Sequence, residues 1–221
     1  MVHVVARVEN PDAADQAPLP VGLFVQAEIR GQTARGVIEL PRAALRDGAD
    51  GVETSLDLER TRTAVGLGPD GWCWQGVTYP WLDACRERTV YHWTGAAFEP
   101  VSRYTTSLIK LVPTEWGPPT FEIDGIKMLP TAQVSPYEDA RRKVELIRPD
   151  GKVILDTCGG LGYFAAWCLQ GKAEQVLSFE KNADVIWLRS LNPWSPEPDA
   201  RLTLTHGDIA THIASLPGES V

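Results

Sequence analysis

The residues best placed to do chemistry are Asp156-Thr157-Cys158-Gly159-Gly160-Leu161-Gly162-Tyr163. They follow a short apolar run, Lys152–Leu155, and precede the helix-like stretch Phe164–Gln170. Glycines in such a turn let the chain reverse sharply and let a ligand approach the backbone, and the following helix offers unpaired N–H groups. Taken alone, Gly160-x-Gly162-x-x-Ala165 also fits a dinucleotide-binding fingerprint, a pattern of low specificity.

Three acids narrow that choice. A glycine turn that grips a pyrophosphate is poorly served by Asp156 just before it, because the carboxylate repels the phosphates. Asp156 suits a ligand amine or hydroxyl instead. Glu180, in Phe179-Glu180-Lys181-Asn182, follows a second apolar run and can accept from both hydroxyls of a ribose. Asp208, in His206-Gly207-Asp208-Ile209, follows a third and can accept from an adenine amino group, with Ile209 packing on the ring. Acids after three successive strands at one sheet edge fit a nucleoside that carries no phosphate. Each acid also has a purely structural reading: Asp156 as a helix cap, Glu180 as a solvated acid, Asp208 as a turn or N-cap residue. Cys158 reads as a small packing residue before it reads as a nucleophile.

The elements needed to hold these acids are legible around them. Ser135-Pro136-Tyr137-Glu138-Asp139 combines an N-cap, a proline at the first helical position and first-turn acids, so a helix is expected to about Ile147, ending at Pro149-Asp150-Gly151. Strands are expected at Lys152–Asp156, Gln175–Phe179 and Arg201–Thr205. Helices are expected at Phe164–Gln170, stopped by Gly171, and at Ala183–Leu191, ended by Asn192-Pro193. Asn192-Pro193-Trp194-Ser195 is expected to anchor that helix end. This alternation is the mark of an α/β sheet.

Upstream, Leu56–Glu122 is rich in Trp, Gly and Thr and reads as a small mixed, mostly β subdomain. Its expected strands are Val90–Trp93, Leu108–Val112 and Thr120–Ile123, with turns at Gly68–Gly71 and Gly117–Pro119 and a short helix at Trp81–Cys85. Trp72, Trp74, Trp81 and Trp93 are expected to pack rather than stack on a ligand. Residues 1–50 alternate as short β strands at 2–9, 23–30 and 37–40, broken by a Pro- and Ala-rich loop. The expected organisation is a β segment 1–50, a mixed β subdomain 51–134 and a cofactor-binding half-domain 135–221.

The combination Asp156-x-Cys158-x-Gly160-x-Gly162, an acid after the second strand and Gly207-Asp208 after the third resembles S-adenosylmethionine-dependent methyltransferases. More narrowly, PTFEIDGIKML, LDTCGGLGYFA, SFEKNADVIWLRSLNPWS and HGDI resemble a predicted archaeal-type methyltransferase family. The resemblance implies a partial Rossmann-like sheet and S-adenosylmethionine as cofactor. It places the cofactor against Asp156, Thr157, Cys158, Gly159, Gly160, Gly162, Tyr163, Glu180, Lys181, Asp208 and Ile209. In such enzymes an acidic or Asn-Pro-Pro motif follows a fourth strand, and the sequence ends at Val221 where that strand is expected, so the half-domain reads as truncated. No catalytic residue is assigned, and the methyl acceptor stays open among small molecules, proteins and RNA. The stretches VVARVENP, PLPVGLFVQAEIRG and VIELPRAALRDG resemble the β-barrel segment of efflux-pump periplasmic adaptor (membrane fusion) proteins. The adaptor's hairpin and lipoyl parts have no counterpart, so the whole reads as a fusion of a barrel remnant with a methyltransferase part. An aminopropyltransferase similar to spermidine synthase, and a non-enzymatic adaptor fragment, are the alternatives.

Composition bounds all of this. The 221 residues are 43% hydrophobic and 23% charged, an ordinary globular balance. The 21 basic residues against 29 acidic ones give a net charge of -8, which disfavours a phosphate backbone as partner. No stretch approaches the roughly 20 apolar residues of a membrane helix, and Met1–Glu9 lacks the form of a signal peptide. A soluble, cytoplasmic protein is expected. Cys73, Cys85, Cys158 and Cys168 form no C-x-x-C pair, so free thiols and no metal site are expected.

Overall fold

A computed structural model describes residues 47–48, 51–68, 70–82 and 84–215. The described residues belong to one compact unit, Ile38–Val221. The strands expected within 1–40, and with them most of the adaptor-like stretch, lie outside the described residues.

The described part opens with an antiparallel meander of five strands in sequence order: β1 (Asp47–Gly48), β2 (Gly51–Thr54), β3 (Thr63–Leu67), β4 (Gly71–Trp74) and β5 (Val77–Pro80). Between β4 and β5 the two loop residues Gln75 and Gly76 have φ of 49° and 79°. That double positive φ is the turn whose twist matches a two-residue hairpin. A hairpin of β6 (Tyr91–Trp93) and β7 (Phe98–Pro100) follows. The expected packing role of the tryptophans is seen here. Trp72 stacks on Tyr79 at 4.4 Å, and Trp93 meets Phe98 edge-on at 5.0 Å. The Trp74 indole donates to Thr63 Oγ1. The short helix expected at Trp81–Cys85 does not form: Trp81, Leu82, Ala84 and Cys85 are irregular. Five residues do not repay the cost of nucleating a turn, and the Trp81 indole donates to the Gly68 carbonyl instead.

A second antiparallel sheet, ordered β11-β10-β9-β8, comprises β8 (Ser102–Tyr104), β9 (Leu108–Val112), β10 (Thr120–Ile123) and β11 (Ile126–Lys127). Asp124-Gly125 makes its last tight turn, with φ of 49° and 81°. The α/β part then runs α1 (Pro136–Ile147), β12 (Val153–Asp156), α2 (Tyr163–Gln170), β13 (Gln175–Glu180), α3 (Ala183–Leu191), β14 (Leu202–His206) and α4 (Ile209–His212). Ser135 caps α1, its hydroxyl accepting from Glu138 N–H at 3.0 Å, and Pro136 opens the helix. Strands β12, β13 and β14 pair in parallel in that order, a Rossmann-like half-sheet.

Two apolar clusters hold the parts together. Val144, Ile154, Ala165, Cys168, Leu169, Ala173 and Val176 lie between α1, α2 and the parallel sheet. Ile109, Leu111 and Phe121 of the second antiparallel sheet, with Val101 just ahead of it, share the other cluster with Leu161, Tyr163, Val185 and Leu188. All four cysteines are unpaired, and burial pushes the Cys168 thiol up to about 12. Among the described residues no helix is long and apolar enough to cross a membrane.

Candidate functional site

The register of the parallel sheet brings the predicted acids to one edge. Asp156 pairs with Ser178, and Glu180, two residues on, pairs with His206 just ahead of Gly207-Asp208. Gly207 N–H donates to the Glu180 carbonyl, tying the last two strand ends together.

Asp156 is not on the surface of this edge but beneath it, with 6% of its area exposed. Ser178 Oγ donates to its Oδ2 at 2.8 Å. Burial drives its carboxyl above the usual carboxylate range. The Ser178 hydroxyl, the Cys158 N–H and the Arg189 charge draw it back down, while Glu180 raises it further. The helix-cap reading does not hold, because α2 has no side-chain cap.

The glycines of the loop differ in what they need. Gly160 and Gly162 have φ of 49° and 81°. A Cβ on Gly162 would stand 2.7 Å from Arg189 Cζ and from Pro196 Cδ, and one on Gly159 would stand 2.7 Å from Ser178 Oγ. Those two are glycines because side chains are packed under them. A Cβ on Gly160 would have Cys158 O at 3.8 Å as its nearest neighbour. The face of Gly160 is therefore open.

Glu180 is tied to that residue. Its Oε2 accepts from Gly160 N–H and its Oε1 from Asn182 N–H, both at 2.9 Å. A carboxylate oxygen accepts more than one hydrogen bond, so each keeps capacity for a ligand hydroxyl. The solvated-acid reading of Glu180 gives way to this bracing role. Lys181 is exposed, and Asp208 is exposed and caps α4, with Oδ1 accepting from Ala210 N–H at 2.9 Å. Ile209 beside it is half-buried.

Tyr163 is placed differently from the expectation. It is 3% exposed, its hydroxyl donates to the Pro119 carbonyl at 2.8 Å, and Asn192 Nδ2 donates to it at 3.1 Å. Its side chain joins the core. Asn192-Pro193-Trp194-Ser195 anchors as expected: Trp194 donates to the Leu58 carbonyl and Ser195 to that of Leu161.

A cleft of about 310 Å³ lies along the loop, lined by residues 155–164 and, across from them, by Leu129, Pro136, Asp139, Ala140 and Lys143. Thr157 and Cys158 are exposed in it. Glu180, Lys181, Asp208 and Ile209 stand outside its lining, at the neighbouring strand ends. Three residues here were not foreseen. Asp139 and Lys143, an ion pair at 2.6 Å, come from α1; Arg189, 6% exposed, comes from α3. The signal for Arg189 was its spacing, four residues after Val185 on the apolar face of that helix.

No family model matches the chain. Over 89 residues it is 47% identical to an uncharacterised protein of Methanocaldococcus jannaschii, a match covering 40% of this chain and 30% of that protein. The chain thus spans about 30% of the length of this curated relative. Among solved structures, a spermidine synthase of Thermotoga maritima aligns at TM-score 0.45 and 18% identity, over 60% of this chain and 46% of that one. A tRNA m1G37 methyltransferase of M. jannaschii aligns at TM-score 0.31 and 14% identity, over 55% of this chain and 37% of that one. These are partial likenesses, and the functional reading rests on the geometry of the site.

Proposed function

We propose that this chain carries the S-adenosylmethionine-binding part of a methyltransferase, with residues 135–221 as the cofactor half-domain and 51–134 as its N-terminal part. The observation that carries the reading is the link between Gly160 N–H and Glu180. It sets a carboxylate with spare acceptor capacity beside the only loop glycine whose face is open, at the end of the second strand. There Glu180 would accept from the ribose hydroxyls, and Asp208 and Ile209, one strand further, would take the adenine.

The charges under and beside the loop support the same ligand. Asp156, Glu180 and Arg189 supply two carboxyls and one guanidinium, so the loop has no surplus of positive charge for a pyrophosphate. The cleft between the loop and α1 would hold the amino-acid end. Asp156 and Asp139 would accept from its ammonium, and Lys143 together with the uncapped first turn of α2 would donate to its carboxylate. Thr157, Cys158 and Gly159 form the wall between these two ends, and Lys181 stands at the rim. When bound, the cofactor supplies a sulfonium methyl group for transfer.

Calorimetric titration of the folded, monodisperse chain tests this. S-adenosylmethionine is expected to bind, NAD is not, and Glu180→Ala is expected to weaken binding about tenfold or more, as befits lost hydrogen bonds to a charged acceptor. Decarboxylated S-adenosylmethionine, which lacks the group Lys143 would recognise, is expected to bind less tightly. No heat with millimolar S-adenosylmethionine overturns the proposal, and tighter binding of the decarboxylated form would favour aminopropyl transfer.

A further inference from the structure

Arg189 is not among the residues the resemblance places against the cofactor, yet the glycine loop is packed over it. It sits on the inward face of α3 with Val185 and Leu188. Its Nη1 donates to Ser178 Oγ at 3.4 Å, and the same hydroxyl donates to Asp156 Oδ2 at 2.8 Å. Its guanidinium fills the space that side chains at Gly159 and Gly162 would occupy, with Cζ at 2.7 Å from the Cβ position of Gly162 and Nη1 at 3.3 Å from that of Gly159. A buried guanidinium is costly to keep unless its charge is used. Here the charge faces two carboxyls, and no acid lies within ion-pair distance of it among the described pairs. A long-chain apolar residue would fill the same space without that cost.

We infer that Arg189 is a positioning residue for the ligand's amino-acid end: through Ser178 it orients the Asp156 carboxyl under the glycine loop and favours its charged form, ready to accept from an ammonium group. The inference rests on the cofactor reading above and assigns Arg189 no contact with the ligand. The charged and titratable groups around Asp156 are few. Glu180 comes from β13, Arg189 from α3, Cys168 and Tyr163 from α2 and Cys158 from the loop, while Asp139 and Lys143 of α1 line the same cleft as a mutually paired couple. Cys168 stays neutral in any neutral buffer, since burial raises its thiol to about 12. Of these groups, Arg189 is the positive charge that opposes the effect of burial on Asp156.

The test uses the full chain, S-adenosylhomocysteine, which carries the ammonium group, and 5′-methylthioadenosine, which does not. Dissociation constants are measured between pH 6 and pH 8.5, with circular dichroism to check folding. Arg189→Met is expected to weaken S-adenosylhomocysteine binding at least tenfold, with the loss largest at pH 6, because Asp156 loses the charge that opposes the effect of burial. The same variant is expected to change 5′-methylthioadenosine binding less than threefold at every pH. Arg189→Lys, which keeps the charge, is expected to keep the parent pH profile. A folded Arg189→Met with the parent pH profile, or with equal losses for both ligands at all pH values, overturns the inference and leaves Arg189 a packing residue. Should Arg189→Met not fold, Ser178→Ala is read instead: it breaks the bridge without removing the charge, and an unchanged pH profile for S-adenosylhomocysteine overturns the inference equally. If the parent chain binds neither ligand, the cofactor reading itself falls and takes this inference with it.

Discussion

Gly159, Gly160 and Gly162 look interchangeable as letters but carry different duties. Gly162 combines a φ of 81° with a Cβ position inside van der Waals contact of Arg189 and Pro196, whereas Gly160 has only its φ of 49° to accommodate. Gly162→Ala is therefore expected to destabilise by about 2–4 kcal/mol, the sum of overpacking and left-handed strain, against about 1 kcal/mol for Gly160→Ala. Urea unfolding checks the order, and equal losses would contradict it. The positions of Asp156, Glu180 and Asp208 at three strand ends were legible from acid-after-strand spacing. Their partners were not, because the acceptors of Glu180 are used by backbone N–H groups 20 residues upstream and two residues downstream. A motif gives the address of a side chain and not its direction, which is why the burial of the Tyr163 side chain against Pro119 and Asn192 was not legible.

Among the elements, those with chemical punctuation were readable. Ser135-Pro136 opens α1 with a side-chain cap, α2 stops at Gly171, and α3 stops at Asn192, which Pro193 holds extended. Ser135→Ala is expected to cost about 1 kcal/mol in thermal or denaturant unfolding, the usual worth of an N-cap. The short strands β2 to β5 have no such marks. They form because neighbours complete them, so in the tryptophan-rich stretch β6, β9, β10 and the turn at Gly68–Gly71 were legible and the strands of the meander were not. In β10, Glu122 shows a charge placed by its element. It is buried between Lys110, at 3.1 Å, and Arg88. Burial alone would raise its carboxyl, but hydrogen bonds and charge from Lys110 and Arg88 outweigh that and lower it below 4.5. An acid lowered in the folded state stabilises above its unfolded value, and that stabilisation is lost as pH falls through the folded one. Glu122→Gln is thus expected to be less stable than the parent at pH 7, with the gap shrinking below about pH 4. A gap that stays constant from pH 7 to pH 3 would contradict the account.

At the scale of the whole molecule, the parallel half-sheet does not stand apart from what precedes it. Val101, Ile109, Leu111 and Phe121 share one core with Leu161, Tyr163, Val185 and Leu188. A fragment of residues 135–221 is accordingly expected to lack a cooperative thermal transition, measured by circular dichroism, because it would expose that shared face. Alternation of strands and helices made the α/β class legible, whereas this shared packing depends on contacts between distant residues that no local pattern encodes. The net charge of -8 takes on a local meaning in the same frame, since Asp156 and Glu180 meet a single buried guanidinium beneath the loop. The most direct test of the cofactor site is hydrogen–deuterium exchange with and without S-adenosylhomocysteine. The account predicts slowed exchange in peptides spanning 156–164 and 180–183, with the meander of β1 to β5 unchanged. Ligand addition that leaves both of those segments exchanging at their free rates would contradict it.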